Sequence, residues 1–477
     1  MRLLAAATAL VVALLGGASA AVGADIGAND DVAKHLDDRG EAMFGRMSAL
    51  GMRRVVIGVR QTPSRPTTIA DRELLDAVAT SADAAGLRVV LAVYPYPPRE
   101  IESGVASPKR FARFVRVVAT AFPQVRDFVV GNEPNQPAFW RPQFDATGAN
   151  VSAPAFGAYL AAAYDALKAR DPAITVIGVG LSPRGNDKPT ARNNISTSPV
   201  RFLRALGAWY RASGRTRPLM DGFSFHPYPN EATDPVERGY AWPNAGFVNL
   251  DRVKQALWDA FHGTAQPTTV EGLKLHLDEV GWQVDTDGLD GYSGAENVSV
   301  TDEETQAAVY ADLVRRATCD QDVASLSFFG FRDDGLRTGF QAGLERADGA
   351  ERPAAASVRD AIAEAAEGCT TKTATWLPER RVLGPTVVVR PGRARVTARI
   401  AAEEDARGVV CFRRAVRGGT RTCRDVSLAG RTPLRVSARV PGLLRAPVEV
   451  SVELAAEANE KRRSRLVRRA TLVQRWP

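Results

Sequence analysis

The chain of 477 residues has only four cysteines and four histidines. No two cysteines form a C-x-x-C pair and no histidine lies at ligand spacing from a cysteine, so a zinc site is not expected. No G-x-S-x-G elbow occurs, which leaves serine-hydrolase chemistry without support. No glycine-rich phosphate loop follows the first predicted strand, and Gly23-Ala-Asp-Ile-Gly27 leads nowhere like G-x-G-x-x-G. Neither metal nor cofactor is expected. Long apolar runs are also missing. The one that stands out, Leu3–Leu15, is shorter than the roughly 20 residues a spanning helix needs. It follows Arg2 and ends in Gly16-Gly17-Ala18-Ser19-Ala20, so residues 1–20 read as a secretory signal peptide cleaved after Ala20 or Ala24. An uncleaved anchor is the alternative; after cleavage no membrane span is expected.

Export changes what the cysteines mean. Four thiols outside the cytosol point to two disulfides. Sequence neighbours suggest Cys319–Cys369 and Cys411–Cys423, with two other pairings open. The overall charge of +8 hides a division. Residues 380–477 hold 23 Lys and Arg against 8 Asp and Glu, whereas residues 1–379 hold 39 against 46. A mildly acidic body thus carries a strongly basic tail, as two modules with different tasks would.

The body reads as strand then helix, eight times over. Predicted strands are Gly23–Gly27, Arg54–Arg60, Arg88–Tyr94, Asp127–Glu133, Ile174–Gly180, Gly222–His226, Leu273–Val280 and Ala324–Phe331. Most are short Val-, Ile-, Leu- or Phe-rich runs, as parallel strands buried on both faces should be. Amphipathic stretches between them include Leu74–Ala85, Pro108–Ala121, Ala155–Ala169, Val200–Ala212, Leu250–His262 and Asp302–Ala317, the last with Thr301 as predicted N-cap. The expected fold class is α/β, a (β/α)8 TIM barrel over residues 21–370, with a doubly wound open sheet as the disfavoured rival. A linker is expected at 371–379. Residues 380–477 turn to period-two patterning, with seven short strand candidates and one helical candidate at Leu454–Arg463, and predict a small all-β, immunoglobulin-like sandwich.

Two predicted strands end in carboxylates. Strand 4 runs Phe128-Val129-Val130-Gly131-Asn132-Glu133-Pro134-Asn135, and strand 7 runs Leu275-His276-Leu277-Asp278-Glu279-Val280-Gly281-Trp282. The C-terminal tips of barrel strands face the mouth where such folds keep their sites. Two carboxyl groups facing each other there suit glycoside cleavage: one protonates the leaving oxygen, the other attacks the anomeric carbon. A surface salt bridge is the plainer explanation for a single such glutamate. Strand side chains alternate, so only one of Asp278 and Glu279 is expected to face the mouth.

These segments resemble a known group. Gly131-Asn132-Glu133-Pro134-Asn135 is similar to the acid/base motif of retaining glycoside hydrolases of clan A, the 4/7 superfamily. Asp278-Glu279-Val280-Gly281-Trp282 is similar to that clan's strand-7 nucleophile motif. The resemblance covers about residues 22–370. It implies Glu133 as acid/base, Glu279 as nucleophile and Asn132 as partner of the substrate 2-hydroxyl. It also implies site roles for His226 and Tyr228, with the Tyr228 hydroxyl on the nucleophile. Arg60, at the end of strand 2, is expected as a buried cation that keeps Glu279 ionised; the plainer alternative is a surface arginine. The chain departs from the clan at strand 8, Leu326-Ser327-Phe328-Phe329-Gly330-Phe331, which has no Trp to floor the cleavage subsite. Phe331 or Phe329 is expected in its stead. Tyr94, Tyr96, Trp140, Trp242, Trp282 and Tyr292 are candidates to stack on sugar faces, with core filling as the alternative.

The sequence therefore predicts an exported, monomeric retaining glycosidase of bacterial type, secreted or held at the cell surface, with a carbohydrate substrate and no nucleic-acid partner. The basic tail is expected either to hold an anionic cell-wall polymer or to be an ordinary solvated strand face. A non-catalytic carbohydrate-binding barrel and a wall-adhesion protein are the rival functions.

Overall fold

A computed structural model of the chain describes residues 23–369, 375–378, 386–391, 395–402, 405–416, 418–428, 433–440, 447–456 and 463–470. The predicted signal peptide, most of the predicted linker and Trp476 lie outside the described residues.

Eight parallel strands close into a barrel in sequence order: β1 (Asp25–Asn29), β2 (Arg54–Gln61), β3 (Arg88–Pro95), β4 (Asp127–Val130), β5 (Thr175–Leu181), β6 (Gly222–Phe225), β7 (Lys274–Val280) and β8 (Val323–Phe329). The ring is sealed where β1 pairs with β8, Asp25 opposite Ser325. Helices α1 (Glu41–Ala49), α2 (Arg72–Ala84), α3 (Pro98–Glu102), α4 (Pro108–Ala121), α5 (Ser152–Arg170), α6 (Pro199–Ala212), α7 (Leu250–Phe261), α8 (Glu303–Cys319) and α9 (Pro353–Ala366) lie between and after the strands. Helix α4 shows why such segments fold. The Ser107 side chain caps it by accepting from the Arg110 N–H, and Pro108 supplies a preset first turn. Phe111, Phe114, Val115 and Val118 then recur on one face and are buried. Helix α8 is capped by Asp302, not Thr301 as the sequence predicts. Thr301 is still extended, exchanging backbone bonds with Gln283 and Asp285, so the chain cannot turn until Asp302.

Alternate strand residues divide the barrel into two regions. Val55, Ile57, Leu91, Val93 and Phe128 point outward into the helix-packed core. The bore is apolar on one side, where Val56, Val90, Ala92, Val129 and Ile177 meet. On the other side it is polar: buried Arg54 reaches across to Asp278 (3.1 Å), to His276 Nδ1 (3.3 Å) and, through that histidine, to Ser325. Gly27 makes room for this arginine, because a Cβ there would sit 2.5 Å from Arg54 Cγ.

The C-terminal residues form two antiparallel sheets. One has the order β13-β10-β9, from β9 (Thr386–Pro391), β10 (Arg395–Ala401) and β13 (Leu434–Arg439). The other has the order β12-β11-β14-β15, from β11 (Ala406–Arg414), β12 (Arg421–Leu428), β14 (Val448–Ala456) and β15 (Arg463–Ala470). Val396, Ile400 and Val436 from one sheet share a core with Val410, Phe412, Val450 and Val452 from the other, which makes a sandwich. The helical candidate at Leu454–Arg463 is corrected at its two ends, and residues 457–462 lie outside the described residues. Leu454 to Ala456 complete β14 and Arg463 opens β15, because both strands pair across this stretch. Cys411 and Cys423 are register partners joined by a disulfide. A second disulfide, Cys319–Cys369, ties the end of α8 to the chain just beyond α9. Buried Asp405, ahead of β11, lies 3.6 Å from Arg201 and also pairs with Arg204, both on α6, and so joins the sandwich to the barrel. Among the described residues no helix is long and apolar enough to cross a membrane.

Candidate active site

The segment after β4 leaves the strand earlier than the sequence predicts. β4 ends at Val130, and Gly131 turns the chain at φ +112°, where a Cβ would meet Phe156 and the Val179 carbonyl at 2.6 Å. Glu133 itself takes φ +41°, a left-handed conformation that a non-glycine residue adopts only when its surroundings hold it there. Here its N–H donates to the Gly180 carbonyl on β5 (2.7 Å). Asn135 fixes the next turn. Its amide donates to the Ser182 and Thr197 carbonyls and its oxygen accepts from the Ser182 N–H, locking the loops after β4 and β5 together.

Glu279 reaches the same place from β7. The pairing of β7 with β8 slips between Leu277 and Val280. That irregularity breaks strict alternation, so both adjacent carboxylates enter the bore, at different depths. As expected, only one of them faces the mouth directly. Asp278 is buried against Arg54, while Glu279 meets residues of the mouth.

Two hydrogen-bond donors and one imidazole converge on Glu279. The Tyr228 hydroxyl donates to Oε2 (3.2 Å), and Asn29, the last residue of β1, donates from Nδ2 to Oε1 (3.1 Å). His226, immediately after β6, lies between the glutamates. Its Nδ1 is 3.3 Å from Glu133 Oε1 and 3.4 Å from Glu279 Oε2. The two oxygens can be no farther apart than those contacts laid end to end. That limit falls near the lower edge of the about 6.5–9.5 Å of inverting glycosidases, and the about 5–5.5 Å of retaining ones lies within it.

The charges follow from this packing. Burial opposes a charged imidazole at His226, but the Glu279 and Glu133 carboxylates outweigh it and raise its pKa to about 9. Burial pushes Glu279 up to about 7; the His226 cation and the Tyr228 hydroxyl hold it down, and Glu133 adds repulsion. Burial and Glu279 drive the Tyr228 phenol well above its usual value, so it stays a donor. Deeper in the bore, burial and the Arg54 cation bring His276 down to about 4.

Of the residues singled out in the sequence, Glu133, Glu279, His226 and Tyr228 come together here, with half-buried Asn132 beside Glu133. Arg60 does not act as a buried cation on Glu279. It is exposed, donates to the Tyr94 hydroxyl (3.0 Å) and lies over the Tyr96 ring, because Tyr94 is its register partner on β3 and holds it there. Tyr94 is buried beneath it, and Tyr96 remains exposed at the rim. Trp140 fills the helix-packed core against Phe156 and Tyr159. Trp282 is buried too, its indole N–H donating to the Asp234 carbonyl. Trp242 is half-buried at the core edge, and Tyr292 braces the loop after β8 through Asp333. Phe331 is corrected as a subsite floor, since it is 1% exposed in the core. Half-buried Phe329 and Phe340 instead form an aromatic corner with Tyr228.

Sequence reasoning missed Asn29 and Phe340. Asn29 ends the first strand of the barrel, a position that could have signalled a site residue. Phe340 lies in a loop with no such mark. Among the described residues no group of three or more His, Cys, Asp or Glu side chains is placed to hold a metal ion.

No protein-family model and no curated protein sequence matches this chain. Solved structures similar to it include a family 39 glycoside hydrolase from Bacteroides cellulosilyticus WH2, at 17% identity and a TM-score of 0.48, covering 88% of this chain and 81% of that one. Another is a glucosidase from Croceicoccus marinus, at 12% identity and a TM-score of 0.48, covering 88% and 93%. A third is a monomeric beta-xylosidase from Caulobacter crescentus CB15, at 14% identity and a TM-score of 0.45, covering 91% and 96%.

Proposed function

We propose that the protein is a secreted retaining glycoside hydrolase acting on a poly- or oligosaccharide. The observation that carries this reading is the meeting of Glu133 and Glu279 across one imidazole at the C-terminal end of the barrel. Glu279, with donors from Asn29 and Tyr228 on its two oxygens, is suited to attack as a carboxylate. Its oxygen bonds the anomeric carbon while the glycosidic C–O bond breaks, and the Glu133 carboxyl gives its proton to the leaving oxygen. Glu133 then takes a proton from water, whose oxygen attacks the anomeric carbon and releases Glu279. The half-buried Phe329 and Phe340 offer an apolar wall to a sugar face, and exposed Tyr96 a second. The motif resemblance at both glutamates favours the same roles. The basic C-terminal sandwich directs the enzyme to an anionic polymer of the cell wall, and the disulfides suit export.

Hydrolysis of a panel of aryl glycosides by the mature chain tests the catalytic part. Glu279→Gly should be inactive and regain turnover with azide, yielding a glycosyl azide of inverted configuration. Silence of the parent on aryl glycosides and on polysaccharides alike would transfer the assignment to a non-catalytic carbohydrate-binding barrel.

A further inference from the structure

The three-stranded sheet of the sandwich carries an unneutralised arginine face. Along β10 and β13 the inward residues Val396, Ala398, Ile400, Val436 and Ala438 fill the core. The outward ones include four exposed arginines, Arg395, Arg399, Arg435 and Arg439. The register sets Arg395 opposite Arg439 and Arg399 opposite Arg435, with Thr397 and Ser437 hydrogen-bonded between them at 2.8 Å. Like charges directly opposite each other destabilise a sheet. Among the described residues no carboxylate pairs with any of the four.

The companion sheet also sets Arg413 opposite Arg421, but there an acid stands beside the pair. There Arg413 meets Glu449 at 2.7 Å and Arg465 meets Glu453 at 3.3 Å, each acid on the neighbouring strand. An arginine-rich composition alone does not separate the two sheets in this way.

We propose that the outer face of β10 and β13 is a binding surface for an extended acidic polysaccharide. The proposal rests on the wall-directed reading of this domain and names its surface and ligand chemistry. Guanidinium forks match carboxylates in bidentate pairs. Along each strand the arginines stand four residues apart, about 13 Å, which suits successive charges on an extended chain. The Thr397 and Ser437 hydroxyls between the rows meet sugar hydroxyls. None of these six outward positions is aromatic, so the face lacks the stacking platforms that single-stranded nucleic acid uses.

The test uses the full chain carrying Glu279→Gln, so that binding is read without turnover and stands whether or not the hydrolytic reading survives. Fluorescein-labelled polygalacturonate is titrated by anisotropy at two salt concentrations. The doubles Arg395→Gln/Arg439→Gln and Arg399→Gln/Arg435→Gln are each expected to weaken binding at least about tenfold and to flatten its salt dependence. The control Arg421→Gln/Arg424→Gln, an equal charge change on β12, is expected to weaken it less than about twofold. Relief of repulsion should leave the face variants unfolding no earlier than the parent. Equal weakening by all three doubles, no weakening by the face variants, earlier unfolding of the face variants, or tighter binding to polyphosphate or single-stranded DNA than to polygalacturonate would each overturn the proposal.

Discussion

Replacing Tyr228 by phenylalanine removes one hydroxyl from the site and keeps the ring that packs on Phe329 and Phe340. That hydroxyl lies 3.2 Å from Glu279 Oε2, longer than the about 2.7–2.8 Å usual for such bonds. The low end of the range for a hydrogen bond to a charged group therefore applies, about 1.5 kcal/mol. This corresponds to about one pH unit. The hydroxyl favours the ionised carboxylate, so its loss raises the Glu279 pKa from about 7. In the proposed mechanism the ionised form attacks, so activity should disappear as pH falls through that pKa. The acid limb of kcat/KM on an aryl glycoside should move up by about one unit in Tyr228→Phe. Relative to the parent, the variant should lose about tenfold at pH 6 and only about twofold at pH 8, where the carboxylate is nearly all ionised in the parent and about half ionised in the variant. A limb that stays in place, with a uniform loss at every pH, would show that the hydroxyl does not set the charge of Glu279. A limb that moves down would reverse the sign and refute the electrostatic account.

Glu279→Gln should abolish turnover with no loss of folding stability, whereas Asp278→Asn should keep turnover per folded molecule. Asp278→Asn strips buried Arg54 of its countercharge, so urea unfolding should register a loss on the order of 3 kcal/mol. Asn29→Ala should move the acid limb upward as Tyr228→Phe does, and Arg60→Gln should leave it in place; the reverse pattern would restore Arg60 as the cation that tunes the nucleophile. His276 has a folded pKa of about 4, below its ordinary 6.5. Its neutral form suits the fold, so its contribution is intact above pH 6.5 and is lost as pH falls from 6.5 towards 4. His276→Gln should flatten the stability–pH curve across that window in thermal unfolding.

The barrel was legible because its signal is repetitive: eight apolar runs separated by amphipathic stretches leave few alternatives. The sandwich was legible from period-two patterning, although Leu454–Arg463 imitated a helix through its Ala, Glu and Lys content. The two glutamates stood out because each follows an apolar strand. What alternation could not reveal was the slip between β7 and β8, which admits Asp278 and Glu279 to the bore together. Arg60 shows a second limit. Its position at a strand end was readable, but the direction of a long side chain depends on the strand beside it, and Tyr94 captured it. Trp140 and Trp282 show a third, since indoles serve cores and sugar sites equally well and only burial separates the two uses. Asn29 lies over 200 residues from Glu279 along the chain and meets it only because β1 closes the ring next to β8.

The Cys319–Cys369 bond bears on mechanics. If the C-terminal sandwich is held by a wall polymer as proposed, drag and wall movement would reach the barrel as tension from its C-terminal side. Without a crosslink that tension would enter α9 at its C-terminal end and peel it off α8 turn by turn, as a zipper opens. The disulfide sits outboard of α9 and passes the pull to the end of α8, a few residues before β8 begins. The load would then reach the segment that leads into β8, the strand paired with β1 where the ring closes. Helix α9 would be left slack.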